Sequence, residues 1–337
     1  MALSLARRTL RMLLAYLLFL AESATVVVAS LLFLSWFSFG RKRGKGASLE
    51  ITDLGQRYEA RATQLIRQRL SKKEAKAILK QRKKARQQRD KQEQQGCLYV
   101  LDFKGDLRAS AVEALRQEVD VLLAARQEGD RVCVRLESGG GMVNTYGLAA
   151  AQLLRLREAG LDLTVLIDSV AASGGYMMAA VARRIVASPF ALVGSIGVIA
   201  QVPNFHRWLK EHNVDFEQFT AGKYKRTVTL FGENTEEGRH KLREELGEIH
   251  EQFRALIHRY RPQLDLEAVA TGEAWLGERA LDLGLVDELA TSDAWIQRVA
   301  ETQKVLVLGF AARQGLAQRL GLKAQQVWEG IWAPPLT

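Results

Sequence analysis

LTVLIDSVAASGGYMMAA, residues 163–180, runs from one apolar segment into another through a turn of very small residues. Leu163 to Asp168 reads as a strand, and the apolar stretch beginning at Ser173 reads as a short helix. The flanking sequence repeats this strand-to-helix pattern. LYVLDF (98–103) is a strand, followed by a helix over 110–129 that the pair Ser110 and Glu113 would cap. RVCVRL (131–136) is the next strand, and a glycine loop and a helix over 143–159 lead from it to Leu163. Further on come strands at RRIVAS (183–188) and FEQFTA (216–221), then a long charged helix over 235–260. This alternation predicts a parallel α/β core. KVLVLGF (304–310) and the amphipathic stretch after it, with Trp328 and Trp332, read as a small appended element.

With 337 residues, 47% of them hydrophobic, the chain can bury a large core beside accessory segments. Its net charge of +10 is unevenly spread. Residues 1–95 hold 21 Lys and Arg against 7 Asp and Glu, whereas residues 96–337 hold 27 against 31. The basicity belongs to an N-terminal arm, which fits a membrane surface or an acidic partner better than a nucleic-acid-binding domain.

Met12 to Phe39 is almost uninterruptedly apolar, with Glu22 its one acidic or basic residue, and exceeds the roughly 20 residues that cross a bilayer. Arg7 and Arg8 raise the alternative of a cleaved signal peptide. The run is too long for one and has no small-x-small site before Arg41, so an uncleaved anchor is expected. Glu22 is costly at a bilayer centre; it would pair within an oligomer or mark a break between two shorter segments. Arg7, Arg8 and Arg11 on one flank nearly balance Arg41, Lys42, Arg43 and Lys45 on the other, which leaves orientation open. The polar residues 50–95 read as a solvated, partly helical linker, either touching anionic headgroups or serving only as a spacer.

Cys133 sits in an apolar strand and Cys97 stands alone, so no disulfide framework or CxxC metal site is available. The histidines lack HExxH spacing, which argues against a catalytic zinc, and no cofactor is expected. Three segments carry chemistry. In Val170-Ala171-Ala172-Ser173-Gly174-Gly175-Tyr176, small residues let the backbone turn sharply, and a serine at a helix N-terminus has N–H groups nearby to stabilise an oxyanion. Tight helix–sheet packing would explain the same residues. Gly139-Gly140-Gly141 follows a strand and exposes backbone N–H groups suited to phosphate or to an oxyanion; with no GK[ST] it is not a P-loop, and without GxGxxG spacing a dinucleotide fold has little support. Gly222-Lys223-Tyr224-Lys225-Arg226 is a surface basic cluster unless Tyr224, Leu230 and Phe231 bury one lysine, whose desolvation would make it usable as a base. A serine with a neutral lysine is an established nucleophile–base pair.

YVLDFKG, RLES-GGG, VAASGGYMMA, VGSIGV, TAGKYKRT, FGENTEEGR, ATGEAW and GLVDEL, with the apolar N-terminus and basic linker, resemble the S49 peptidase family, the signal peptide peptidase A group. The resemblance covers essentially the whole chain. It implies an α/β fold of the Clp-protease and crotonase type, a superhelix of β-β-α units preceded by a transmembrane helix and a basic linker. The segments are then a basic N-terminus (1–11), an anchor (12–39), the linker (40–95), the peptidase domain (96–302) and a C-terminal strand-and-helix extension (303–337).

By resemblance, Ser173 is the nucleophile and Lys225, 52 residues later, the general base, with Lys223 as its competitor. Ser195 would orient the lysine amine, and the N–H groups of Gly174 and Gly141 would bind the oxyanion. Gly139 departs from the family, which usually has proline there; a looser loop is expected. The resemblance further implies peptide, unfolded or signal-peptide-like substrates and a ring-like homo-oligomer whose neighbouring subunits complete the pocket. It places the body on the periplasmic side of a bacterial inner membrane, although the positive-inside count with the basic linker leans towards the cytoplasm.

Three rival readings stand beside this one. A triad of Ser173, His206 and Asp168 would follow related Clp-type proteases. Acyl-CoA chemistry on a crotonase-like fold would use the glycine loop for a thioester oxyanion. A membrane scaffold would bind peptides without cleaving them.

Overall fold

In a computed structural model of the chain, which describes Tyr16 and residues 48–92 and 96–311, the apolar runs pair side by side in one sheet. Its strands, in spatial order, are β1 (Ser48–Asp53), β10 (Lys304–Ala311), β2 (Cys97–Lys104), β3 (Arg131–Glu137), β4 (Asp162–Ile167), β6 (Arg184–Ala187) and β9 (Glu288–Leu289). From β10 to β9 every pairing is parallel. A second sheet joins β5 (Val170–Ala172), β7 (Leu192–Gly194) and β8 (Ala274–Leu276), parallel and then antiparallel. The α/β class read from the sequence is therefore present.

Side chains in a strand alternate between faces, and both faces of the large sheet are covered. Val132, Val134, Leu163, Val165 and Ile167 join the main core, while Leu98, Val100, Cys133 and Leu166 enter a second core with Trp295 and Ile296. That is why the strand sequences are almost wholly apolar. Burial pushes the Cys133 thiol up, as befits a packing residue.

Several elements differ from expectation. Ser110 and Glu113 do not cap the helix Val112–Ala125; the Ser110 N–H and hydroxyl both donate to the Asp106 carboxylate, at 2.8 and 2.7 Å, and close a turn before it. A capping box forms instead at Ser71 and Glu74, opening the helix Lys72–Gln92. FEQFTA is not a strand. Its Phe216 packs 5.8 Å from Phe231, while Phe219 is 89% exposed, an arrangement with no adjacent strand to pair. Part of the expected linker is regular structure: β1 joins the sheet edge, and Leu54 is buried in the second core. The KVLVLGF strand, read as appended, lies inside the sheet between β1 and β2. Residues 12–39, Tyr16 apart, and the stretch after 311 lie outside the described residues. Among the described residues no helix is long and apolar enough to cross a membrane.

Placing β10 inside the sheet has a cost at Glu118. This buried residue of the helix Val112–Ala125 accepts the Phe310 N–H, and burial raises its pKa to about 7, aided by Asp102. A carboxyl whose folded pKa lies above its unfolded value disfavours the fold once it ionises. Stability from this group therefore falls as pH rises from about 4.5 through 7. Glu118→Gln is expected to raise the thermal midpoint at pH 8, by at most about 3 kcal/mol of stability, and to change little at pH 4.5. Equal shifts at both values would show that ionisation is not the cause.

Candidate active site

Strand β5 positions the site. Ala172 pairs with Gly194, so Ser173 and Ser195 leave adjacent parallel strands side by side. On its other flank β5 meets the glycine loop through the bridge Ser138–Ala171, in which the Ser138 N–H donates to Val170 O (2.9 Å) and Ala172 N–H to Ser138 O (3.0 Å). A short strand between two loops thus gathers three distant segments of sequence.

Ser173 occupies φ 52°, ψ −119° at the start of the helix Gly174–Ala180. Such a backbone costs a non-glycine residue about 1–3 kcal/mol, and it is held by the Ser173 N–H donating to Gly194 O (2.8 Å). Ser195 is likewise at φ 50°, its N–H donating to Glu273 O (2.5 Å). The turn tolerates only small neighbours. A Cβ on Gly140, itself at φ 89°, would meet Ser173 Cβ at 2.7 Å, and one on Gly174 would strike the Tyr146 ring at 2.5 Å.

These residues open onto a cavity of about 850 Å³, lined by Gly139–Met142, Ser173, Ser195 and Gly197–Ile199 and walled by Leu246 and His250 of the helix Glu236–Tyr260. Among the described residues the N–H groups of Gly141 and Gly174 have no hydrogen-bond acceptor, and the Ser173 hydroxyl has no partner. Two unspent donors beside a serine in a strained turn suit attack on a carbonyl, with the developing charge received by the backbone. Gly139 is exposed, with open space where a Cβ would stand, so the site accepts glycine without needing it. Replacing proline there typically costs about 0.4–1 kcal/mol through the unfolded chain.

Lys225 is elsewhere. It is exposed and lines a separate cavity, also about 850 Å³, with Phe216, Phe219, Val228 and Phe231. The expected desolvation by Tyr224, Leu230 and Phe231 does not occur within one chain. Those residues are themselves 47, 43 and 42% exposed. Lys223 is a poor rival: hydrogen bonding to Glu237, 2.8 Å away, and to the Tyr224 side chain raises its pKa. The triad does not assemble either. Both Asp168 oxygens are taken by the Ser292 N–H (2.7 Å) and hydroxyl (2.5 Å), and His206 does not line the Ser173 cavity. The histidine that does is His250, whose buried Nε2 has no partner among the described residues. No spacing in the sequence announced it, because it reaches the cavity from a helix formed far downstream.

Known proteins resemble the chain along its length. The model of the peptidase family S49 N-terminal region matches residues 11–153, and the peptidase family S49 model matches residues 155–306. "Probable protease SohB" of Haemophilus influenzae is 42% identical over 326 residues, 92% of this chain and 92% of its own. The protein of that name from Buchnera aphidicola subsp. Schlechtendalia chinensis is 53% identical over 199 residues, covering 59% of this chain and 65% of its own. Among solved structures, a membrane-bound stomatin-specific protease in complex with a substrate peptide aligns with a TM-score of 0.38 and 11% identity, covering 69% of this chain and 100% of its own.

Proposed function

Because the chain belongs to peptidase family S49, and is thus a hydrolase of peptide bonds, we propose that it is a membrane-anchored serine endopeptidase working through Ser173 and Lys225. The observation that carries this reading is the strained turn at Ser173, facing one cavity with Ser195 and the free N–H groups of Gly141 and Gly174.

Substrate lies extended beside the strand edge that carries the glycine loop, held partly by main-chain hydrogen bonds. Ser173 Oγ attacks the carbonyl carbon while Lys225 Nζ takes its proton. The oxyanion is received by the Gly141 and Gly174 N–H groups. Lys225 returns the proton to the leaving amine, and water resolves the acyl-enzyme by the same relay. Ser195, beside the nucleophile, orients the lysine amine.

One chain alone does not carry Lys225 into the cavity, and this supports a homo-oligomer in which a neighbouring subunit completes each site. The arm over 199–231 exposes Ile199, Trp208, Phe219 and Tyr224, apolar side chains that a neighbouring subunit would cover. The fold fits a Clp- and crotonase-like superhelix of β-β-α units, since β4 with β5 and β6 with β7 each send one strand to each sheet. An uncleaved span over 12–39 would hold the body at a bacterial inner membrane, on its periplasmic side, where apolar and signal-peptide-like segments gather. Neither metal, nucleotide nor nucleic acid enters this scheme.

The test uses the full-length protein in detergent with an unfolded, signal-peptide-like substrate. Cleavage, with a serine-directed acylating probe attached to Ser173, is the expected result. A thermal shift on adding CoA without labelling would move the protein to acyl-CoA chemistry, and peptide binding without turnover would make it a scaffold.

A further inference from the structure

Beneath the glycine loop lies a buried polar joint that the scheme above does not use. Tyr146 is fully buried in the helix Val143–Glu158, and its hydroxyl lies 2.5 Å from Ser138 Oγ and 2.8 Å from Asp106 O. Ser138 Oγ in turn accepts the Gly140 N–H at 3.1 Å. The protons in this chain have only one arrangement. A carbonyl oxygen only accepts, so the single Tyr146 proton goes to Asp106 O. Ser138 must then donate to Tyr146, which leaves its lone pairs for Gly140. Hydrogen bonds aligned head to tail in this way strengthen one another in a dry interior. Burial also pushes the Tyr146 hydroxyl up, so it keeps its proton.

The joint touches both the strand that carries the nucleophile and the glycine loop. Ser138 anchors β5 just before Ser173 through its own N–H and carbonyl, and the Tyr146 ring lies under Gly174. The turn at Asp106 is set by its carboxylate, which accepts from the Arg108 and Ser110 N–H groups at 3.1 and 2.8 Å. It presents Leu107 O to the Met142 N–H at 2.9 Å. The glycine loop is thus clamped at both ends, and the Gly140 N–H is drawn inward. Of the three glycine N–H groups of the loop, that of Gly140 is spent on Ser138, while that of Gly141 has no acceptor among the described residues.

We propose that Ser138 and Tyr146 are positioning residues for the oxyanion hole, acting by fixing which glycine N–H of the loop points into the cavity. This rests on the peptidase reading. Its failure is separable, because Ser173→Ala tests the nucleophile alone.

Tyr146→Phe and Ser138→Ala each remove one hydroxyl and leave the packing nearly intact. In the full-length protein we expect kcat on a fluorogenic peptide to fall about tenfold or more, on the scale known for disturbed oxyanion donors, with KM within about twofold. A peptide aldehyde, which binds as a hemiacetal and needs the oxyanion hole, should weaken by the same factor as kcat/KM. The affinity of the corresponding cleavage-product peptide should not move. If Tyr146→Phe fails to fold, Ser138→Ala carries the same expectation. An unchanged kcat in a folded variant would overturn the proposal. So would a fall in kcat with aldehyde affinity intact, or parallel losses of product-peptide affinity and thermal stability, which mark a merely structural role.

Discussion

Ser173→Ala is expected to lower kcat by about 10⁴-fold or more, the scale on which serine nucleophiles are lost, while the thermal midpoint stays within a degree or two. The residue serves chemistry and not packing. Its hydroxyl has no partner among the described residues, and the bond that holds its turn is made by the backbone N–H to Gly194 O. Alanine keeps that bond and keeps the strain of φ 52°. Ser173→Gly separates the two effects. Glycine adopts positive φ freely, so this variant should be equally inactive yet more stable, by about 1 kcal/mol. A protein selected for stability alone would have glycine here. Turnover by Ser173→Ala within tenfold of wild type would remove the nucleophile assignment. Destabilised Ser173→Gly would show that the serine side chain is structural.

How much of this was legible in sequence depended on whether the signal was local. The strands at 98–103, 131–136 and 163–168 are apolar because the sheet is covered on both faces, and runs of that kind announce themselves. Ser173 was visible as a serine among small residues. What brings Ser195 beside it is the register Ala172 opposite Gly194, a fact of pairing that spacing does not contain. FEQFTA failed as a strand because local composition cannot say whether a partner edge exists. The cap assigned to Ser110 failed because the Asp106 carboxylate, four residues back, outcompeted that of Glu113 for the Ser110 N–H. Tyr146 and His250 were silent for a common reason: each belongs to an ordinary helical pattern, and only tertiary packing turns it towards the loop or the cavity.

The lysine calls for an experiment on assemblies. Lys225→Ala should lower kcat by about 10³-fold or more, as loss of a general base in a coupled dyad does, whereas Lys223→Ala should retain most of it. Lys223 is tied to Glu237 at 2.8 Å, a contact that favours its charged form and that it would have to give up to act as a base. Lys225 stands in its own cavity on an arm with exposed Phe219 and Trp208, and a lysine becomes a useful base only when its surroundings exclude water. A neighbouring subunit docked over that arm would exclude it. Ser173→Ala and Lys225→Ala subunits, unfolded and reassembled together in equal amounts, should then regain activity that neither has alone. In a ring where each site takes its serine from one subunit and its lysine from the next, random mixing completes about a quarter of the sites. Recovery near that fraction is the expected reading of a turnover assay on the mixture. No recovery, with both variants assembled in mixed rings, would put Lys225 in the same subunit as the serine it serves and require the arm to fold back onto its own cavity.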